Sequence, residues 1–185
     1  QDLTFTEKSK EYNLNVTGLS VHSAFFDYDK DGDLDCYILN NSFRNVGAYD
    51  LIEGQRKIPD PDGQGNKFFE NVGDKFIDVT QKVNIFSSNI GFGLGITLSD
   101  FNNDGWTDLF ISNDFFEKDY LYINNKDKTF SENSSKYFKS MSLGSMGADS
   151  ADLDNDLLTD LFVTEMLPKS LERKIISKIL KPTLK

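Results

Sequence analysis

The stretch DYDKDGDLDCYILN (27–40) sets carboxylates at alternate positions of a short loop and then runs into an apolar, β-branched and aromatic segment. The same pattern returns as DFNNDGWTDLFISN (100–113) and as DLDNDLLTDLFVTE (152–165). Each opens D-x-[DN]-x-D-x-x-x-D, and the three loops hold 12 of the 30 acidic residues. Carboxylates packed this closely repel one another unless a cation sits between them. Ca²⁺ is the economical choice, because it is a hard ion that takes about six to eight oxygen ligands from a flexible loop.

The spacing gives a ligand set. In loop one, Asp27, Asp29 and Asp31 occupy positions 1, 3 and 5, the carbonyl of Asp33 position 7, and Asp35 position 9. Loop two offers Asp100, Asn102, Asp104, the Trp106 carbonyl and Asp108. Loop three offers Asp152, Asp154, Asp156, the Leu158 carbonyl and Asp160. Position 6 is Gly32 and Gly105 in the first two, where a sharp turn needs positive φ, but Leu157 in the third. Two Ca²⁺ sites are therefore expected, with loop three as a third and weakest.

An EF-hand begins the same way but requires a bidentate Glu at position 12 and flanking helices. Position 12 here is Ile38, Ile111 and Val163. The runs after the loops are too short for helices and read as strands.

A second motif recurs between the loops, as NKFFENVGDKFIDVT (66–80) and DYLYINNKDKTFSENS (119–134), each read as a hairpin with a Phe-led second strand. LTFTEKS (3–9) looks like the tail of another. With Phe5, Phe76 and Phe130 as equivalents, the distances to the next acidic loop are 27−5 = 22, 100−76 = 24 and 152−130 = 22. That constancy is an internal repeat. Residues 43–65, rich in glycine and proline, read as a surface insertion within one repeat. Small-residue runs precede each loop (VHSAFF, LGITLS, MGADSA), which suits crowded backbones near the axis of a radial assembly. Four strands in about 50 residues make a propeller blade. The fold expected is all-β, with about three four-stranded antiparallel blades over 1–168 and a basic segment at 169–185.

The acidic loops, the N-x-x-x-N-x-G-D hairpin at 66–74 and the Phe-x-Asp-Val-Thr at 76–80 resemble FG-GAP/VCBS repeats, those of integrin α-subunit propellers and many bacterial surface proteins. Segments such as AFFDYDKDGDLDCYILNNSF, SNDFFEKDYLYINN and DLFVTEMLP are most similar to large VCBS-repeat proteins of Bacteroidetes-type bacteria. The resemblance implies a β-propeller, usually seven-bladed, with Ca²⁺ loops between strands, in an exported protein often tethered at the outer membrane. It also implies further blades, supplied by the same or another chain.

The chain has 185 residues, is 38% hydrophobic, and carries a net charge of −10, which disfavours nucleic acid as a partner. No run approaches the roughly 18 apolar residues of a membrane span. Cys36 is the lone cysteine and reads as a buried free thiol. Export is argued from calcium, since sites of about 10⁻⁴–10⁻³ M affinity stay empty in a cytosol. Residues 166–185 carry six Lys or Arg against Glu172, and read as an inter-blade excursion with a solvated face, the alternative being a basic amphipathic helix against anionic lipid or a partner.

No catalytic constellation is legible. His22 lies in a small-residue strand, and GFGLG (91–95) precedes a strand, which weakens a nucleotide reading. The leading expectation is a calcium-stabilised, non-enzymatic propeller at the extracellular or outer-membrane surface that binds protein or glycan. The alternatives are part of a propeller-type polysaccharide lyase or hydrolase, with its active site in other blades, and a structural subunit of an outer-membrane complex.

Overall fold

The computed structural model describes residues 3–43, 54–115, 117–142 and 144–166. It contains two four-stranded antiparallel sheets and one two-stranded sheet. The first is β1 (Leu19–Phe26), β2 (Asp35–Asn41), β3 (Lys67–Asn71) and β4 (Phe76–Asp78), in chain order. The second repeats it with β5 (Gly93–Ser99), β6 (Asp108–Asn113), β7 (Tyr120–Asn124) and β8 (Phe130–Glu132). The third pairs β9 (Ser145–Ala151) with β10 (Asp160–Glu165). Helix is limited to single turns at Gln55–Lys57 and Ser134–Tyr137 among the described residues.

These are the expected propeller blades, two of them complete. The third has two strands among the described residues, where four were expected. Each acidic loop joins the first two strands of its sheet and leads into a strand, so the EF-hand geometry is absent. Phe76 and Phe130 open β4 and β8 as expected, but Phe5 is fully exposed and in no strand. A strand needs a neighbour to take its backbone hydrogen bonds, and no described strand lies beside residues 3–9.

Period-two alternation distributes the core. In β2, Tyr37 and Leu39 face the second sheet, while Cys36 and Ile38 pack with Phe69 against Leu14, Val16 and Phe76 on the other side. In β6 and β7, Leu109, Ile111, Tyr120 and Tyr122 join Tyr37, Leu39, Phe68 and Phe130 in the cluster between the first two blades. Phe110, Leu121 and Ile123 turn the opposite way, against Leu161 and Val163 of β10. A central blade strand is thus buried on both faces, which is why DCYILN and DLFISN read as near-continuous apolar runs. Burial of each large side chain contributes about 1.5–3 kcal/mol. Phe162, between Leu161 and Val163, points the other way and is 61% exposed.

Small residues do permit close approach along the first strands. A Cβ on Gly93 would stand 2.2 Å from Leu39 Cδ1, and one on Gly95 would stand 3.3 Å from the Gly147 Cα of β9. The GFGLG run is therefore spent on packing β5 between its neighbours. Cys36 is buried and free, and burial raises its thiol pKa to about 12.

In the described part of the expected insertion 43–65, residues 54–65 are exposed or half-buried except Asp60 and Gly65. Residues 44–53 and the basic segment 169–185 lie outside the described residues. Within 54–65, Asp60 is buried and donates its N–H to Ser87 O at 2.8 Å, while Arg56 pairs with Glu117, whose side chain is 1% exposed. No helix among the described residues is long and apolar enough to cross a membrane.

Candidate metal centre

The three acidic loops share one hydrogen-bond scheme. The position 1 carboxylate accepts the N–H of position 6: Gly32 to Asp27 Oδ2 (3.1 Å), Gly105 to Asp100 Oδ2 (2.6 Å) and Leu157 to Asp152 Oδ2 (3.0 Å). The position 9 carboxylate accepts the N–H of position 2: Tyr28 to Asp35, Phe101 to Asp108 and Leu153 to Asp160. Position 5 accepts from position 7: Asp33 to Asp31, Trp106 to Asp104 and Leu158 to Asp156. These bonds fold each loop into a closed curl with its carboxylates turned inward.

The curl needs left-handed backbone at positions 4 and 6. Lys30, Asn103 and Asn155 have φ of 60°, 56° and 63°, and Gly32, Gly105 and Leu157 have φ of 96°, 85° and 68°. Position 4 was not singled out from sequence; Asn at two of the three copies was the available signal, because Asn tolerates this region. At position 6 Leu157 adopts the glycine conformation, at a cost of about 1–2 kcal/mol.

Carboxylate oxygens converge within loops one and three. Asp27, Asp29 and Asp35 each offer a carboxylate oxygen within 4.8 Å of the others, as do Asp152, Asp154 and Asp156. In loop two, Asn102 stands at position 3, with its Nδ2 donating to Asp104 Oδ2 at 2.9 Å. Asp27 Oδ1, Asp33 Oδ1 and Asn102 Oδ1 are buried without a hydrogen-bond partner. Buried polar atoms are ordinarily satisfied, so these three oxygens are left open to a further partner. The Asp33 side chain was missed: sequence gave it a carbonyl role only, and no equivalent carboxylate exists at Trp106 or Leu158.

The electrostatics agree. Burial lifts the Asp35 carboxyl to about 7 and Asp108 to about 6, even though two backbone N–H groups donate to each. Burial, then the charges of Asp31, Asp29, Asp27 and Glu70, raises Asp33. Asp104 differs. Burial pulls it up, but the Trp106 N–H, Asn102 and Lys126 outweigh burial and hold it below the ordinary value. A divalent cation would stabilise every one of these charges at once.

Loops one and two are half-buried, whereas loop three is exposed over 152–158. The difference comes from the neighbouring hairpin. Asn124, at the end of β7, donates its Nδ2 to Tyr28 O in loop one (2.8 Å) and its N–H to Asp108 Oδ1 in loop two (2.8 Å). Asn71, at the same place in the first blade, donates its N–H to Asp35 Oδ1 (2.9 Å) and its Nδ2 to Leu34 O. Lys30 of loop one lies over the Trp106 ring of loop two, 4.5 Å from its centroid. Loop three has no such hairpin beside it among the described residues.

Residues 100–163, from the first aspartate of loop two to the middle of β10, match the family model of the FG-GAP-like repeat. The chain carries an FG-GAP-like repeat. The matched span takes in loops two and three and the β7–β8 hairpin between them, the parts whose recurrence defines the repeat. Loop one stands 100−27 = 73 residues earlier with the same hydrogen bonds, so the FG-GAP-like geometry extends to the first blade. Curated proteins give no match to the chain.

Proposed function

We propose that the chain is a calcium-stabilised, non-enzymatic binding module of an extracellular or outer-membrane surface protein. The observation that carries the reading is the set of partnerless buried oxygens, Asp27 Oδ1 and Asp33 Oδ1 in loop one and Asn102 Oδ1 in loop two, together with the carboxylates that converge in loops one and three. In this reading loops one and two each hold one Ca²⁺, and loop three holds a weaker one. Ligands are Asp27, Asp29, Asp31, Asp33 and Asp35, then Asp100, Asn102, Asp104, Asp108 and the Trp106 carbonyl, then Asp152, Asp154, Asp156, Asp160 and the Leu158 carbonyl. Bound calcium would cancel repulsion that reaches about 4 kcal/mol per pair of charges 4 Å apart near a protein surface. Calcium of this type is available outside the cytosol, which supports the surface location.

The outer flank of the β9–β10 sheet supports a further blade or partner beside it. On this sheet and at its end Phe162, Met146 and Met166 are 61%, 44% and 61% exposed, apolar surface that a neighbouring blade or partner would cover. Binding of a protein or glycan then falls to loops outside the repeat, because blade packing and calcium account for the repeat itself.

Melting with and without a calcium chelator tests the reading. At free Ca²⁺ about 100 times Kd, each site adds roughly 2.7 kcal/mol, so the chelated protein melts several degrees lower. A melting curve indifferent to chelator contradicts the proposal.

A further inference from the structure

A second concave site lies at the end of the blades opposite the acidic loops. There the end of β2 (40–43), the segment 60–65 and the connection 88–91 enclose a pocket of about 210 Å³. Its walls are fixed by hydrogen bonds. Asn40, 3% exposed, donates its N–H to Asn66 Oδ1 and its Nδ2 to Gly65 O, and accepts from Ser20 Oγ. Ser42 donates its N–H to Gly91 O at 2.9 Å and its Oγ to Asn89 O at 2.7 Å. A Cβ on Gly65 would fall 2.1 Å from Ser87 O, so the two wall segments are in direct contact.

The repeat does not require this pocket. In the second blade Asn113 makes the same bracket, its N–H to Asp119 Oδ1 and its Nδ2 to Lys118 O. There the connection from β6 to β7 is short. Between the two four-stranded sheets, it is the longer connection of the first that brings Asp60, Asp62 and Gln64 over the strand end.

The lining chemistry narrows the ligand. Asn41, Asp60, Asp62, Gln64 and Asn89 supply amides and carboxylates, and no Lys, Arg or His is among the described lining residues. The pocket therefore does not favour an anion, and its polar walls do not favour an apolar molecule. Amides that donate and accept, beside carboxylates that only accept, match a ligand whose hydroxyls do both. Phe43, 63% exposed at the edge, offers a flat apolar face. The volume is below the roughly 300–1,000 Å³ of drug-sized sites and suits one six-membered ring.

We propose that this pocket binds a single neutral sugar residue at the end of a glycan. The proposal rests on reading the chain as a binding module and is independent of calcium. The test is saturation-transfer NMR on the full chain with methyl pyranosides of glucose, galactose, mannose and N-acetylglucosamine, with methylammonium as the cationic control. At least one glycoside shows transfer, and Asp62→Ala and Asn89→Ala each weaken it by about tenfold, the effect of one lost polar contact. Asp62 is exposed, so its truncation leaves the melting curve unchanged. Transfer from no glycoside, transfer from methylammonium alone, or transfer that survives the triple change Phe43→Ala, Asp62→Ala and Gln64→Ala overturns the proposal. A chain that melts in response to calcium yet binds no glycoside refutes the pocket and spares the calcium reading. Glycoside binding by a chain whose melting ignores calcium does the reverse.

Discussion

Lys128 Nζ, on the β7–β8 turn of the second blade, lies 2.5 Å from Asp29 Oδ2 in the acidic loop of the first. The same ammonium is 2.8 Å from Glu70 Oε1, and these two hydrogen bonds raise its pKa. A lysine of one blade thus neutralises part of the loop of its neighbour. Lys126, two residues earlier, does the same within its own blade, 3.2 Å from Asp104 Oδ2. Both lysines would compete with a divalent ion for these carboxylates.

Lys128→Met separates the two roles. Lys128 is half-exposed but the Asp29 side chain is only 1% exposed, so removing the ammonium strips a buried acceptor of its partner, costs about 1–3 kcal/mol, and the metal-free protein melts several degrees lower. Calcium binding at loop one becomes a few-fold tighter, because a competing cation is gone and the free loop is more repulsive. Calorimetric titration of the variant checks both. Weaker calcium binding in Lys128→Met contradicts this account.

The left-handed Leu157 makes loop three correctable. Its side chain is 86% exposed, so Leu157→Gly removes no packing and relieves about 1 kcal/mol of backbone strain. Loop three of the variant binds calcium up to about fivefold more tightly. A variant that binds more weakly shows that the strain does not limit this site.

Asn124 and Asn71 occupy equivalent places but carry unequal loads. Asn124 is buried and its Nδ2 bridges to the other blade at Tyr28 O, so Asn124→Ala strands a buried carbonyl and costs about 1–3 kcal/mol. Asn71 is partly exposed and bonds within its own blade, so Asn71→Ala costs less. Denaturant unfolding of both variants ranks them; equal losses contradict the inter-blade role.

Much of this was legible in the sequence because it rests on short-range pattern. Alternating aspartates, Gly32 and Gly105, and the apolar runs after Asp35, Asp108 and Asp160 give loops, strands and blade count directly. Inter-blade contacts were not legible. Nothing in the order of residues says that Lys128 reaches Asp29, or that Asn124 reaches Tyr28, 96 positions away. The Asp33 side chain was missed because the other two copies lack a carboxylate there. The inward anchor of the insertion was not legible either. The prolines and glycines mark a loop correctly, but composition does not show that Arg56 folds back onto a buried Glu117.

That ion pair gives the insertion a structural role. Burial raises the Glu117 pKa even against the Arg56 charge, so the carboxylate depends on its partner. Arg56→Met leaves a buried, unpaired charge and costs about 3–5 kcal/mol. Glu117→Gln in the same chain recovers much of the loss. A single Arg56→Met variant as stable as the parent makes the 54–65 segment dispensable.

The central claim is that the acidic loops are calcium sites, and metal content tests it most directly. Protein equilibrated in millimolar calcium and then freed of unbound ion is predicted to hold about two Ca²⁺ per chain, with oxygen ligands at about 2.3–2.6 Å. Asp27→Ala and Asp100→Ala each remove one. Fewer than one Ca²⁺ per chain, or a content unchanged by both substitutions, contradicts the account.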